Sequence, residues 1–135
     1  MSKSAIYTAN TFEQNVLEDG IINLGTIIRR YGPNINLSGN AIQIGGVGYY
    51  DVDANFTVAP TAIGDFTITM YKNGDPVPGA SATTYISTSD TATTVSITSL
   101  VREYCNCCEG LSNLTFILSG SAATISNVAI VVEKL

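Results

Sequence analysis

The chain of 135 residues contains no histidine and no tryptophan, and only 13% of its residues are charged. The absence of histidine excludes Ser-His-Asp and Cys-His nucleophilic sites, imidazole proton shuttles and histidine-ligated metals. The absence of tryptophan removes the largest stacking platform for a sugar ring and disfavours a lectin. With six basic residues and a net charge of −5, the chain also lacks the positive surface that nucleic-acid binding requires.

Long apolar runs and helical patterns are also missing. No stretch approaches the roughly 20 apolar residues that a membrane helix requires, and the first ten residues lack the apolar core of a secretory signal peptide. We therefore expect synthesis in the cytoplasm and no contact with a membrane. No segment repeats its apolar residues with a helical period, so we expect no helix.

The stretch with the strongest pattern is Gly45 to Pro60 (GGVGYYDVDANFTVAP), which predicts one long strand. From Tyr50 onward every second residue is apolar, and most of the residues between are polar. This alternation indicates a strand with one buried face. The glycines permit a tight entry, and Pro60 ends the strand because proline cannot donate a ladder hydrogen bond.

About ten short strands separated by turns are expected along the chain. Besides the long strand, the predicted ranges are Ser4–Asn10, Asn15–Leu17, Ile21–Arg30, Ile35–Leu37, Ala41–Ile44, Asp65–Tyr71, Ala80–Thr88, Thr93–Arg102, Leu114–Ser119 and Thr124–Leu135. Asn73-Gly74 predicts a type I′ hairpin, because both residues accept positive φ angles. The pattern as a whole predicts one all-β domain over residues 1–135, a sandwich or jelly roll.

The last predicted strand is apolar on both faces in Asn127–Val132 (NVAIVV). We expect it at the centre of a sheet, with the core against one face and a second covering surface against the other. Because the chain is short, another subunit is the expected cover.

The order of these motifs resembles the tumour necrosis factor (TNF) and complement head-domain superfamily. The likeness rests on the strand GYYDVDANFTV, the hairpin YKNG and the C-terminal strand SNVAIVVEKL, and it covers almost the whole chain. It implies a ten-strand, TNF-like jelly-roll sandwich that forms a homotrimer. The closer likeness is to small bacterial and phage proteins, including the heads of spore-surface glycoproteins, although this chain lacks the Gly-X-Y stalk of the latter.

The resemblance also implies a trimer interface on the sheet that holds the long strand and the last strand. The residues expected there are Tyr7, Tyr49, Asp51, Asp53, Leu100, Arg102, Ala129 and Val131. Three copies of Asp51 and Asp53 near a threefold axis would repel one another unless an arginine or a cation compensates. Arg29, Arg30 and Arg102 are the candidate arginines. A structural metal ion on the axis is a further hypothesis, and a water-filled channel is the plain alternative.

Cys105-Asn106-Cys107-Cys108 is an unusual local motif. Three cysteines cannot all pair within one chain, and the C-x-C-C spacing does not match the usual C-x₂-C of zinc sites. In a trimer, Cys105, Cys107 and Cys108 are candidates to bind a shared soft metal or to form inter-chain disulfides. The alternative is three reduced cysteines in a loop, which a reducing compartment favours.

Asp51 and Asp53 lie two residues apart on one strand face, a separation of about 7 Å. That spacing suits two carboxylates acting on a glycosidic bond or oxygen ligands for calcium. Any polar strand face produces such pairs, however, so we expect no enzyme and no cofactor.

The functional hypothesis is a non-enzymatic virion subunit: a phage head fibre, a decoration protein or a tail-associated head, with adhesion as its task. Its expected partners are further copies of itself, a capsid, tail or surface anchor protein, and a host surface glycan. Its expected location is the virion. A carbohydrate-binding, lectin-like module and a spore or cell-surface head domain are the alternatives.

Overall fold

A computed structural model describes residues 3–103 and 112–135. Within these ranges the chain forms eleven strands. They are β1 (Ala5–Asn10), β2 (Gln14–Val16), β3 (Thr26–Tyr31), β4 (Ile35–Ser38), β5 (Ala41–Ile44), β6 (Gly48–Pro60), β7 (Gly64–Lys72), β8 (Asp75–Ile86), β9 (Thr93–Glu103), β10 (Ser112–Ser119) and β11 (Ala123–Lys134). The predicted all-β fold class is confirmed, and none of the described segments is a helix able to span a membrane.

The strands form two antiparallel sheets around one core. The first sheet has the order β3-β1-β11-β6-β9, and the short β2 pairs with β11 beyond the end of β1. The second sheet has the order β4-β5-β10-β7-β8. Strands from the two ends of the chain are therefore neighbours, and each sheet is assembled from distant segments, as in a jelly roll.

The inner face of β6 forms the middle of the core, as its alternation predicts. Tyr50, Val52, Ala54, Phe56 and Val58 are all at most 1% exposed. The ring of Phe56 packs against a phenylalanine of β10 in the second sheet, with 5.4 Å between ring centres. Aromatic contacts of this kind add to the burial energy that holds the two sheets together.

The predicted central position of the last strand is also confirmed. β11 pairs with β1 on one side and with β6 on the other. Its inner residues Val128, Ile130 and Val132 are fully buried. Ala129 and Val131, on the outer face, are not.

The prediction of one continuous strand over Ile21–Arg30 is wrong. The backbone N–H of Ile22 donates to the carbonyl oxygen of Phe116 at 2.9 Å, so this part runs beside the second sheet. Ile22 and Leu24 fill the core and are fully buried. Gly25 then adopts a φ of 85°, and the chain crosses to the first sheet, where β3 begins. The first half of the segment therefore lies beside the second sheet, and the second half, as β3, belongs to the first sheet.

The long strand starts at Gly48, three residues later than predicted. The hydroxyl of Tyr50 explains the delay, because it donates to the carbonyl oxygen of Gly46 at 2.6 Å and accepts from the N–H of Gly46 at 3.0 Å. These two bonds hold the glycine segment in a turn and keep it out of the ladder.

The hairpin between β7 and β8 has the predicted geometry. Asn73 and Gly74 have φ angles of 53° and 87°, as a type I′ turn requires. β8 then begins at Asp75, five residues before the predicted start at Ala80. Two prolines are tolerated in β8 because it is the edge strand of its sheet.

Candidate subunit interface

The outer face of the first sheet carries all eight residues predicted for the trimer interface. In one row across the sheet, Tyr7 of β1 lies opposite Val131 of β11, and Val131 lies opposite Asp53 of β6. In the next row, Asp51 lies opposite Leu100 of β9. The other predicted residues on this face are Tyr49, Arg102 and Ala129. Strand alternation therefore brings all eight side chains to one surface.

This outer face exposes apolar side chains in two pairs of neighbours, Tyr7 with Val131 and Tyr49 with Leu100, and Asp51 and Asp53 lie between the pairs. The exposed fractions are 37% for Tyr7, 46% for Tyr49, 57% for Leu100 and 40% for Val131. Exposed apolar side chains grouped on one face of a folded protein mark an interaction site more often than single scattered ones do. The face thus has the character of a binding surface.

The charged side chains on this face are unevenly arranged. Asp51 lies directly opposite Glu133 of β11, and a cross-strand pair of like charges is destabilising. Arg102 lies on β9, where its guanidinium carbon is 5.7 Å from the centre of the Tyr49 ring, a cation–π contact. Arg29 lies on β3 at the far edge of the sheet. The face is therefore acidic in the middle and basic at both edges.

The third candidate arginine is engaged elsewhere. The Nε of Arg30 donates a hydrogen bond to the carbonyl oxygen of Ile35 at 2.6 Å. This contact ties β3 to the start of β4 and so joins the two sheets at one side of the sandwich.

An apolar hollow of about 220 Å³ lies at the β3 side of the outer face. It is lined by Ala5, Tyr7, Arg29, Tyr31 and Val131, among others, and its exposed lining is almost entirely carbon. We call it the β1 hollow. It is open to solvent and offers shape and apolar surface but few polar groups to orient a ligand.

Sequence reasoning missed several residues of this surface, among them Ala5, Tyr31 and Glu133. Glu133 could have been found by continuing the alternation of the last strand two residues beyond Val131. Tyr31 could not, because the pairing of β3 with β1 depends on the crossing at Gly25 and on a register shift between the partners of Tyr7 and Thr8.

A buried polar cluster lies where β9 ends and β10 begins. Ser112 Oγ donates to the two carboxylate oxygens of Glu103 at 2.8 and 3.0 Å, and Lys72 Nζ lies 3.5 Å from the same carboxylate. Asn73 Nδ2 donates to Ser112 Oγ at 3.2 Å. These bonds fasten the β7–β8 hairpin to both strands that flank the cysteine-containing segment.

Tyr50 lies near this cluster with its hydroxyl in the core. Burial raises the pKa of Tyr50 above its ordinary value of 10.0, the hydrogen bond to the Gly46 carbonyl opposes that rise, and the negative charge of Glu103 adds to it. The arrangement therefore holds Tyr50 as a neutral hydrogen-bonding group that shapes the turn before β6.

The predicted metal or disulfide residues Cys105, Cys107 and Cys108 lie outside the described residues. Within residues 3–103 and 112–135, no three Asp, Glu or Cys side chains are grouped to hold a metal ion. Asp51 and Asp53 share a face, as predicted, but their neighbours across the strands are Leu100, Glu133, Thr98 and Val131. Both carboxylates lie on the outer face of the sheet, and Asp51 faces the like charge of Glu133.

The chain resembles known proteins in its structure. No family model matches the chain, and no curated protein matches it significantly in sequence. Murine APRIL, in a crystal structure at pH 5.0, superposes with a TM-score of 0.74 at 10% identity, over 98% of this chain and 99% of that one.

Two further solved structures match over nearly their whole length. PRD1 vertex protein P5 superposes with a TM-score of 0.64 at 13% identity, covering 98% of this chain and 96% of that one. The globular domain of zebrafish complement 1qA protein gives a TM-score of 0.64 at 8% identity, covering 97% and 94%. At these identities the likeness concerns the fold: the chain is a jelly roll of the TNF and complement C1q type.

Proposed function

We propose that this chain is a non-enzymatic structural subunit of a phage particle, and that it works as a homotrimer assembled through the outer face of the first sheet. A head fibre, a decoration protein or a tail-associated head are the roles in which such a trimer would serve adhesion. A capsid, tail or surface protein of the particle would anchor it.

The observation that carries the proposal is the apolar outer face. Tyr7, Leu100 and Val131 expose apolar surface to solvent, although the other face of their sheet is already buried in the core. Burying such surface yields about 25 cal/mol per Å², and a symmetric oligomer repeats the gain at every interface. A closed trimer therefore gives the second face of β11 the cover that its sequence leads us to expect.

The virion role is supported by one of the structural matches. PRD1 vertex protein P5 is described as a vertex protein, and it has the same fold over almost its whole length. The absence of histidine favours a structural role over catalysis.

Sedimentation velocity of the full chain at micromolar concentration tests the trimer. Val131→Asp is the informative variant, because Val131 faces outward on β11 and its replacement leaves the core unchanged. We expect the wild type to sediment as a trimer and Val131→Asp as a monomer with an unchanged circular dichroism spectrum. The matched control is Ser81→Asp, on the exposed face of β8 in the second sheet, which should remain trimeric. A monomeric wild type would refute the proposal.

The virion location requires a separate test. Immunogold labelling of purified particles with antibodies against this chain should decorate discrete positions on the particle surface. Absence of the chain from purified particles that contain the other structural proteins would contradict the proposed location, and a spore or cell-surface context would then be examined by the same labelling.

Carbohydrate binding is a second candidate, favoured by the outer face of the second sheet. That face carries hydroxyl and amide groups, such as the Thr67–Thr83 pair, whose Oγ1 atoms are 2.7 Å apart, and Tyr85 is 63% exposed at its edge. An exposed tyrosine ring beside hydroxyl groups is suited to stack on a sugar. Labelled protein on a glycan array should bind host-surface glycans, and Tyr85→Ala should abolish the signal. Binding that survives in Tyr85→Ala would exclude this face.

A further inference from the structure

Two complementary features lie in the same row of side chains on the outer face of the first sheet. The row runs Tyr31, Ala5, Glu133, Asp51 and Leu100 across β3, β1, β11, β6 and β9. The β1 hollow lies at one end of this row, where Tyr31 and Ala5 line it together with side chains of the next row. Leu100 stands at the other end, on the edge strand β9, and with 57% of its surface exposed it is the most exposed apolar side chain of the row after Tyr31.

We propose that Leu100 of one protomer fills the β1 hollow of the next protomer. This inference rests on the trimer proposed above and adds the contact that defines its geometry. It describes a heterologous interface, in which two different patches of the same chain meet and a rotation closes the ring.

The strand order makes this contact compatible with threefold symmetry. β9 and β1 are three strand spacings apart, or about 14 Å at about 4.8 Å per spacing. A threefold rotation joins two such points when each lies about 8 Å from the axis, close enough for side chains of three sheets to meet there. A rotation about an axis parallel to the strands involves no shift along them. Two features in the same row therefore meet at the same height.

Size and charge favour this occupant over an unrelated partner. The hollow has about 220 Å³ of open volume with an almost wholly apolar exposed lining, which suits an aliphatic side chain and offers a small polar ligand few orienting groups. Arg29 stands at its rim, and Asp51 is the cross-strand neighbour of Leu100. Docking Leu100 thus brings a carboxylate toward a guanidinium, and electrostatic complementarity of this kind fixes the register of an interface.

Photo-crosslinking tests the contact directly. The full chain is made with p-benzoylphenylalanine in place of Leu100, and ¹⁵N-labelled and unlabelled protomers are mixed so that crosslinks between chains carry both isotopes. Trypsin releases Ser4 to Arg29 as one peptide, which contains β1. We expect mixed-isotope crosslinks from position 100 to that peptide. Inter-chain crosslinks that instead join position 100 to residues 73–102, which contain most of β9, would overturn the inference, whereas crosslinks at Tyr31 or Val131 would support it because both residues line the hollow.

Alanine substitutions give an independent measurement of trimer stability, in case the photo-reactive side chain is too large for the hollow. Leu100→Ala should weaken each interface about tenfold, because the aliphatic surface that fills the hollow is lost. Thr98→Ala, on the same strand and face, should leave the trimer unchanged. If Leu100→Ala matches the control while Val131→Asp dissociates the trimer, the Leu100 contact is refuted and the proposed interface stands. A monomeric wild type refutes both.

Discussion

Replacing Gly25 with alanine should be one of the most damaging single-methyl changes in this fold. Gly25 turns the chain from the second sheet to the first with a φ of 85°. A Cβ atom at this position would lie 2.1 Å from the carbonyl oxygen of Ala9 and 2.7 Å from the Cα atom of Asn10. Both are backbone atoms of β1, so no side chain can rotate away to make room.

The expected cost combines two effects. A left-handed backbone conformation costs an alanine about 1 to 2 kcal/mol, and overpacking against a fixed backbone adds about 1 to 3 kcal/mol. We expect Gly25→Ala to lower the free energy of unfolding by about 3 to 4 kcal/mol. For a chain of this length that corresponds to a fall in Tm of about 10 to 14 °C.

Gly39→Ala is the matched control. Gly39 also has a positive φ, 59°, but a Cβ atom there would meet nothing within 4 Å, so only the backbone cost of about 1 kcal/mol should remain. Both variants are compared by urea denaturation at one protomer concentration, followed by circular dichroism. If Gly25→Ala loses no more stability than Gly39→Ala, then β1 is not packed against this turn, and the register of β3 that forms the β1 hollow is wrong.

Two further predictions concern polar groups in the core. The Thr8 hydroxyl is buried without a hydrogen-bond partner among the described residues. Thr8→Val should therefore raise the free energy of unfolding by about 1 kcal/mol in urea denaturation, whereas destabilisation would point to a buried partner such as water. Burial raises the pKa of Tyr50 above 10.0, so the unfolded chain loses this proton at a lower pH than the folded chain. Stability should therefore fall as the pH rises above about 10. Tyr50→Phe, although less stable at neutral pH because it loses both bonds to Gly46, should show a shallower fall, and equal slopes would contradict the prediction.

Regular alternation made the central strands predictable. In β6 the buried residues are two apart over the whole length, and in β11 they are two apart on either side of a bulge between Ile125 and Asn127, because a pleated strand presents alternate positions to the core. The same rule assigned Tyr49, Asp51 and Asp53 to the outer face without any knowledge of their neighbours. Local pattern is sufficient where a strand stays in one sheet.

Pattern failed where the chain changes sheets. Nothing in the sequence of Ile21–Arg30 marks Gly25 as the point where the chain crosses between sheets. Glycine is required there because a Cβ atom would clash with the backbone of Ala9 in β1, sixteen residues earlier. The β1 hollow was equally hidden, because it depends on the pairing of Tyr31 with Ala5 and of Tyr7 with Val131. Such features depend on the pairing register between strands that are distant in the chain. The pattern of one sequence does not specify that register.

The outer face of the first sheet is difficult to explain by the stability of one protomer. Exposed carbon at Leu100 and Val131 contributes little to folding, since the core lies on the other side of the sheet. The cross-strand pair of Asp51 and Glu133 is unfavourable in an isolated sheet, and a lysine at either position would be better for a monomer. A partner surface accounts for both features, because it buries the exposed carbon and brings a cation to the carboxylates. The contact of Leu100 with the β1 hollow has this property, since it carries Asp51 toward Arg29.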